Sequence, residues 1–274
     1  MKNLISLLIS AFKSYIIFHL VKFKHNQKNK SSLNSENNKY FKDLKKNGYV
    51  VIPNYLTNEI CYKLIFDIKN AEKEYPNAVW SGHLNADKRI FGIELLGGGF
   101  KEFHEDPNLI EIGEKYFGGT LQNLQTLAGH ITYVEGNEGS GEGWHRDGNN
   151  FQYKSIVYLS DVGIENGPFQ LISKSNGFFQ SFIDNLYLNK KVDQTRYSAE
   201  EVEKIIIKNP ERLKTFTALA GTLLIVDTSI IHRGCPIKEG ERFALTNYYY
   251  PKYLINQYIG HFMPRLTDDM IKIA

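Results

Sequence analysis

From residue 127 onward, apolar and polar positions alternate in strand-sized runs: 127–134, 143–147, 155–162, 169–173, 222–227 and 243–250. Turn residues separate most of these runs, and several short strands in succession predict a sandwich or barrel of the jelly-roll kind. Ahead of them, residues 48–53 form a short β-rich run closed by Pro53, and Thr57 or Asn58 is placed to cap a helix with Ile60, Leu64, Ile68 and Ala71 on one face. Residues 88–96 read as a further strand and Gly97-Gly98-Gly99 as a flexible turn. That triple glycine lacks the Lys-Ser/Thr of a phosphate loop, which argues against a nucleotide site. A helix is expected over residues 107–117, with Gly118 placed to end it. Ser198-Ala-Glu-Glu201 is a capping box opening a helix through Ile207, which Pro210 interrupts. It lies within residues 176–219, an insertion between strands that reads either as a lid or as packing filler.

The first 39 residues follow a different pattern. Residues 4–21 are apolar, but Lys13 sits near their middle, at a cost of roughly 2.5–3.5 kcal/mol for a membrane-spanning helix. Ser6, Ser10 and Lys13 form a narrow polar stripe at helical spacing, with Lys22 and Lys24 beyond. Residues 1–24 are therefore expected to lie on a membrane surface, a helix packed on protein and a true span being the alternatives. Residues 25–39 read as a polar linker with little to bury, and residues 40–274 as the folded domain.

Composition narrows the function classes. Of 274 residues 42% are hydrophobic, enough for a sizeable core. Thirty-three basic against 30 acidic residues leave a charge of +3, too balanced for a nucleic-acid footprint. Cys61 and Cys235 show no disulfide or zinc spacing, so a reducing, cytoplasmic compartment is the default, with membrane association resting on the N-terminus. Nothing in the sequence sets an oligomeric state.

The candidate chemistry centres on Gly143-Trp-His-Arg-Asp-Gly148. In a strand, residues two apart share a side, so His145 and Asp147 converge while Arg146 faces away. Two imidazoles and one carboxylate on one face of an octahedron are a common set for a redox-capable divalent metal, and this stretch supplies two of the three. His232, just past the buried-looking run 221–227, is the candidate third. Arg242, Ala244 and Thr246 share one face of the last strand. If that face is the interior, a guanidinium points inward, and its planar fork asks for a carboxylate.

Taken together, His145-x-Asp147, then Glu165-Asn-Gly-Pro-Phe-Gln-Leu-Ile-Ser-Lys-Ser175, then Gly221-Thr-Leu-Leu-Ile-Val-Asp227, His232, Gly234 and Arg242 resemble the phytanoyl-CoA dioxygenase branch of the iron(II)/2-oxoglutarate oxygenases, over about residues 45–250. The resemblance implies a mainly β fold with flanking helices, a double-stranded β-helix of the cupin-like jelly-roll type. It implies Fe(II) held by His145, Asp147 and His232, with Arg242 gripping the distal carboxylate of 2-oxoglutarate. It further implies an O2-dependent hydroxylation of a small organic or lipid-linked substrate, with release of succinate and CO2.

In halogenating relatives a small residue replaces the carboxylate ligand, and Asp147 is present here, which favours hydroxylation. The family's usual Pro-Gly-Ser-His is replaced by Ser173-Lys174-Ser175-Asn176, a departure at the edge of the expected lid. Thr132 and Tyr133, on the strand before the motif, are candidates to hydrogen-bond the cosubstrate. Trp144 is expected in the core. Asp227 either orients His232 or caps a tight turn. His83, His104 and His130 lack ligand spacing. The alternatives to an enzyme of this class are a noncatalytic β-barrel binding module and a zinc hydrolase using the same three side chains.

Overall fold

The computed structural model describes residue 16 and residues 33–148, 152–191, 193–258 and 263–273. The expected N-terminal membrane segment therefore lies outside the described residues, Ile16 apart. No helix among the described residues is long and apolar enough to cross a membrane.

The chain runs α1 (Ser35–Asn47), β1 (Tyr49–Ile52), α2 (Asn58–Glu74), β2 (Val79–Ser81), β3 (Asp87–Phe91), α3 (Gly98–His104), α4 (Pro107–Phe117), β4 (Leu121–Thr132), β5 (Trp144–His145), β6 (Tyr153–Tyr158) and β7 (Phe169–Ile172). It continues through α5 (Phe178–Tyr187), β8 (Arg196–Tyr197), α6 (Ala199–Lys208), β9 (Leu213–Phe216), β10 (Leu223–Asp227), β11 (His232–Gly234) and β12 (Glu241–Pro251). Two antiparallel sheets result, ordered β1-β10-β6-β12-β4-β3-β2 and β8-β5-β11-β7-β9. Both orders have free ends, so the expected jelly roll is a two-sheet sandwich and not a closed barrel.

Alternation within the strands sorts side chains into layers. In β12, Phe243, Leu245 and Tyr249 join the core under α1–α4, while Arg242, Ala244, Thr246 and Tyr248 line a cavity between the sheets. In β6, Tyr153 and Val157 take the helix side, and Lys154, Ile156 and Tyr158 the cavity side. Tyr158, Phe169, Leu171, Phe216, Leu224 and Val226 fill the rest of the space between the sheets. Burying each such side chain contributes about 1.5–3 kcal/mol. Trp144, Ile172, Tyr197, Val202 and Ile205 cover the outer face of the smaller sheet.

Several elements differ from expectation. Helix α1 begins at Ser35, inside the stretch read as linker, because the Asn34 side chain caps it by accepting from Asn37 N at 2.7 Å. The buried Asn37 donates to Asn108 and Glu111 at 3.0 and 3.1 Å, so this helix docks partly through polar contacts that a hydrophobic pattern does not register. On α2 the inward face is Cys61, Leu64, Ile68 and Ala71, and Ile60 is exposed. The strand expected over 88–96 stops at Phe91, where Gly92 turns left-handed at φ 79°. The triple glycine starts α3, with Gly99 packed against Leu64. The insertion 176–219 contributes β8 and β9, the two edges of the smaller sheet, and is thus part of the fold's fabric.

Helix α4 sits on the larger sheet through Gly113, where an added Cβ would lie 2.6 Å from the Tyr153 ring. That ring is fully buried and its hydroxyl donates to Leu109 O at 2.8 Å, so it cannot swing aside. Alanine gains about 1 kcal/mol of helix propensity, against about 1–3 kcal/mol for overpacking. Gly113→Ala is expected to lower stability by about 1 kcal/mol net in urea unfolding; an unchanged or raised midpoint would contradict this packing account.

Candidate metal centre

Strand β5 is only two residues long, yet it places the site, because His145 and His232 are direct partners in its pairing with β11. Side chains facing one another across such a pair are close neighbours, and the two rings lie 4.3 Å apart. Beyond β5, Asp147 N donates to Thr228 O at 3.0 Å, keeping the motif alongside the turn that leads into β11. Asp147 oxygens lie 3.8 Å from Nε2 of His145 and 3.8 Å from Nε2 of His232. One donor atom from each of the three residues falls within 4.8 Å of the others.

The protonation pattern suits a metal. His145 Nδ1 donates to Gly143 O at 3.0 Å and His232 Nδ1 to Ile230 O at 2.9 Å. A carbonyl can only accept, so the proton sits on Nδ1 and each Nε2 keeps its lone pair for a ligand. Burial, reinforced by the neighbouring His145, pushes His232 down from 6.5 to about 3 despite the opposing pull of Asp147. Burial likewise lowers His145. For Asp147 burial acts upward, but the Lys154 ammonium, then His232 and His145, outweigh it and hold the carboxyl well below the usual range.

Lys154 was not among the sequence candidates. Its Nζ lies 2.7 Å from Asp147 Oδ2 and 4.1 Å from the centroid of the Tyr248 ring. A lysine alternating with apolar positions in Tyr153-Lys-Ser-Ile-Val-Tyr158 is the signal that marks it, and starting the strand at Ser155 hides it. The loop before β5 is a second omission. At Gly141, φ is +85° and a Cβ would lie 2.4 Å from Cε1 of His145, so this position backs directly onto a candidate ligand and only glycine fits.

Arg146 faces away, as expected, and is fully buried. It donates to Tyr197 Oη at 2.9 Å, Ser229 O at 2.5 Å, Asp184 Oδ2 at 2.8 Å and the Ser175 carbonyl. The middle residue of the motif thus ties β5 to α5.

The cavity beside the three candidate ligands has a volume of about 150 Å³ and includes Arg242 and Arg89. Asp87 and Ser140 satisfy Arg89. Arg242 is 7% exposed and has no hydrogen bond or ion pair among the described residues. Burial lowers its pKa from the ordinary arginine value, with Tyr158 and Asp87 opposing.

The structure separates the remaining candidates. Thr132 and Tyr133 do not line the cavity, correcting that expectation: β4 presents Leu127, Gly129 and Ile131 to it, Thr132 falls on the opposite side of the alternation, and Tyr133 lies past the strand end, 50% exposed. Asp227 caps its turn, accepting from Ser229 N and Oγ at 3.1 and 2.7 Å, and it makes no contact with His232. Trp144 is core, with Arg233 over its ring. His130 bridges Glu72 and Glu241 on the helix side of β4, and His104 bonds Thr126.

No family model and no curated protein matches the chain. Solved structures do. The chain is similar to SnoK, a non-heme α-ketoglutarate-dependent carbocyclase from nogalamycin biosynthesis, at 13% identity and TM-score 0.58, over 87% of this chain and 95% of that one. It is similar to the epimerase SnoN of the same biosynthesis at 13% identity and TM-score 0.57, over 79% and 84%. HygX from Streptomyces hygroscopicus, solved with nickel and 2-oxoglutarate bound, matches at 14% identity and TM-score 0.56, over 81% and 89%. At these identities the likeness establishes the fold, the cupin-like jelly roll that these proteins share.

Because folded His232 titrates near 3 and the free side chain near 6.5, the unfolded chain binds the extra proton between those values. Stability of the metal-free protein therefore rises with pH across that window and is lost as pH falls through it. Denaturant unfolding of the metal-free protein from pH 7 to 4 is expected to show this slope, reduced in His232→Gln; an equal slope in both proteins would contradict it.

Proposed function

We propose that the chain is an iron(II)- and 2-oxoglutarate-dependent oxygenase that hydroxylates a small organic or lipid-linked substrate and releases succinate and CO2, in the manner of the phytanoyl-CoA dioxygenase branch its motifs resemble. The observation that carries this reading is Arg242: a buried guanidinium with no hydrogen bond or ion pair among the described residues, in the cavity that the His145, Asp147 and His232 donor atoms face. An unpaired buried cation is costly, and a dicarboxylic acid reaching from a metal to that fork would relieve the cost.

The donor set fits a divalent iron: two neutral imidazole nitrogens and one ionised carboxylate, with the cavity side left open for other ligands. Bound there, iron would supply the redox chemistry that couples oxidative decarboxylation of 2-oxoglutarate to oxidation of the second substrate. The protein's share is placement. His145 and His232 present Nε2 because backbone carbonyls hold Nδ1. Lys154 anchors Asp147 through Oδ2, which also faces His232, while Oδ1 faces His145. Arg242 receives the distal carboxylate in a two-point contact. Leu127, Ile131, Ile156 and Phe169 provide apolar wall that limits water.

The same residue argues against the alternatives. A zinc hydrolase has no use for a buried guanidinium awaiting an acid, and a noncatalytic module has no need to retain all three donors with that arginine. Purified protein given iron(II), 2-oxoglutarate and air is expected to form succinate, and His145→Ala or Asp147→Ala to abolish it; absence of succinate from protein with iron bound would refute the proposal. Arg242→Met is expected to raise the KM for 2-oxoglutarate at least about tenfold while leaving metal-free thermal stability unchanged or higher. A lower melting temperature with KM unchanged would make Arg242 a structural residue.

A further inference from the structure

Helix α5 is turned inside out. Its sequence is Phe-Phe-Gln-Ser-Phe-Ile-Asp-Asn-Leu-Tyr, and it buries Ser181, Asp184 and Asn185 while Phe179, Ile183, Leu186 and Tyr187 are 57, 54, 55 and 51% exposed. Positions 179, 183, 186 and 187 fall on one helical face. The orientation is enforced from within: Asp184 accepts from the buried Arg146 at 2.8 Å, and Asn185 accepts from Tyr197 Oη at 2.7 Å and donates to Gln194 O at 3.0 Å. Rolling the helix to hide its apolar face would strand Arg146 without its anion, so the stripe stays outside. Helix α6 extends the patch with Ile207, 72% exposed, and with Lys208, whose Nζ lies 4.9 Å from the Tyr187 ring centroid. Single exposed apolar residues need no explanation, but a contiguous stripe marks an interaction surface.

The rest of the chain indicates what covers it. Before Glu36 there is no acidic residue, whereas Lys2, Lys13, Lys22, Lys24, Lys28 and Lys30 precede it, the last four directly after the apolar residues 4–21. An apolar stretch followed by a cluster of lysines suits a bilayer bearing anionic lipid. Gly48, which ends α1, approaches Asn176, two residues before α5. Stable attachment to a membrane generally takes two contacts.

We propose that the outer face of α5, with Ile207, rests on an anionic bilayer surface as the partner contact to the basic, apolar N-terminal stretch. This does not depend on the oxygenase reading. The test is flotation of the full-length protein with vesicles of phosphatidylcholine alone and of phosphatidylcholine mixed with phosphatidylglycerol. The protein is expected to float with the mixed vesicles and to be released by salt. The triple variant Phe179→Ser, Ile183→Ser, Leu186→Ser should lower the bound fraction about tenfold without changing the melting temperature. As a milder probe, Phe179→Trp should gain emission and shift to the blue when mixed vesicles are added. Absence of flotation overturns the proposal, as does flotation equal in the triple variant and its parent with no response from Phe179→Trp. A dimer in sedimentation that the triple variant converts to monomer also overturns it, since a second copy would then be what covers the stripe.

Discussion

The pairing of His145 with His232 across β5 and β11 is the constraint on which the site depends. Two residues far apart in sequence become direct neighbours because a two-residue strand finds one register, and Asp147 follows only because its backbone stays bonded to Thr228. A slip of one residue would turn His145 to the outer face, where Trp144 packs now. Arg146 guards against that slip: its guanidinium is held on the far side by Asp184, Tyr197 and two carbonyls.

The cavity beside this pair holds charge that the described residues do not balance. Asp87 answers Arg89 and Asp147 answers Lys154, but Arg242 has no such partner among the described residues. A fold selected for stability alone would place an apolar side chain there. Retention of the guanidinium on an otherwise well-paired wall is what a site for an acidic ligand requires, and it links the His-Asp-His donor geometry to the proposed cosubstrate.

Much of this was legible in the sequence where physical periodicity is strong. The alternation in β12 assigned Arg242, Ala244 and Thr246 to one face, Gly118 ended α4, and Ser198 with Glu201 formed the capping box of α6. What escaped rests on interactions that leave no apolar period. Asn34 and Asn37 dock α1 by hydrogen bonds, and β8 is too short to show alternation. Helix α5 breaks the inward-apolar rule because a buried ion pair decides its orientation. Lys154 is hidden by a boundary set two residues late, and Thr132 was misjudged because the face of β4 that meets the cavity is fixed by pairing with β12 and β3.

The most direct test of the central claim is an anaerobic titration of the iron(II)-loaded protein with 2-oxoglutarate, followed by visible absorbance. The account predicts a weak charge-transfer band that saturates at one equivalent per chain, is absent from His232→Ala, and needs a large excess of 2-oxoglutarate in Arg242→Met. Iron bound without any such band, or a band indifferent to Arg242, would contradict it.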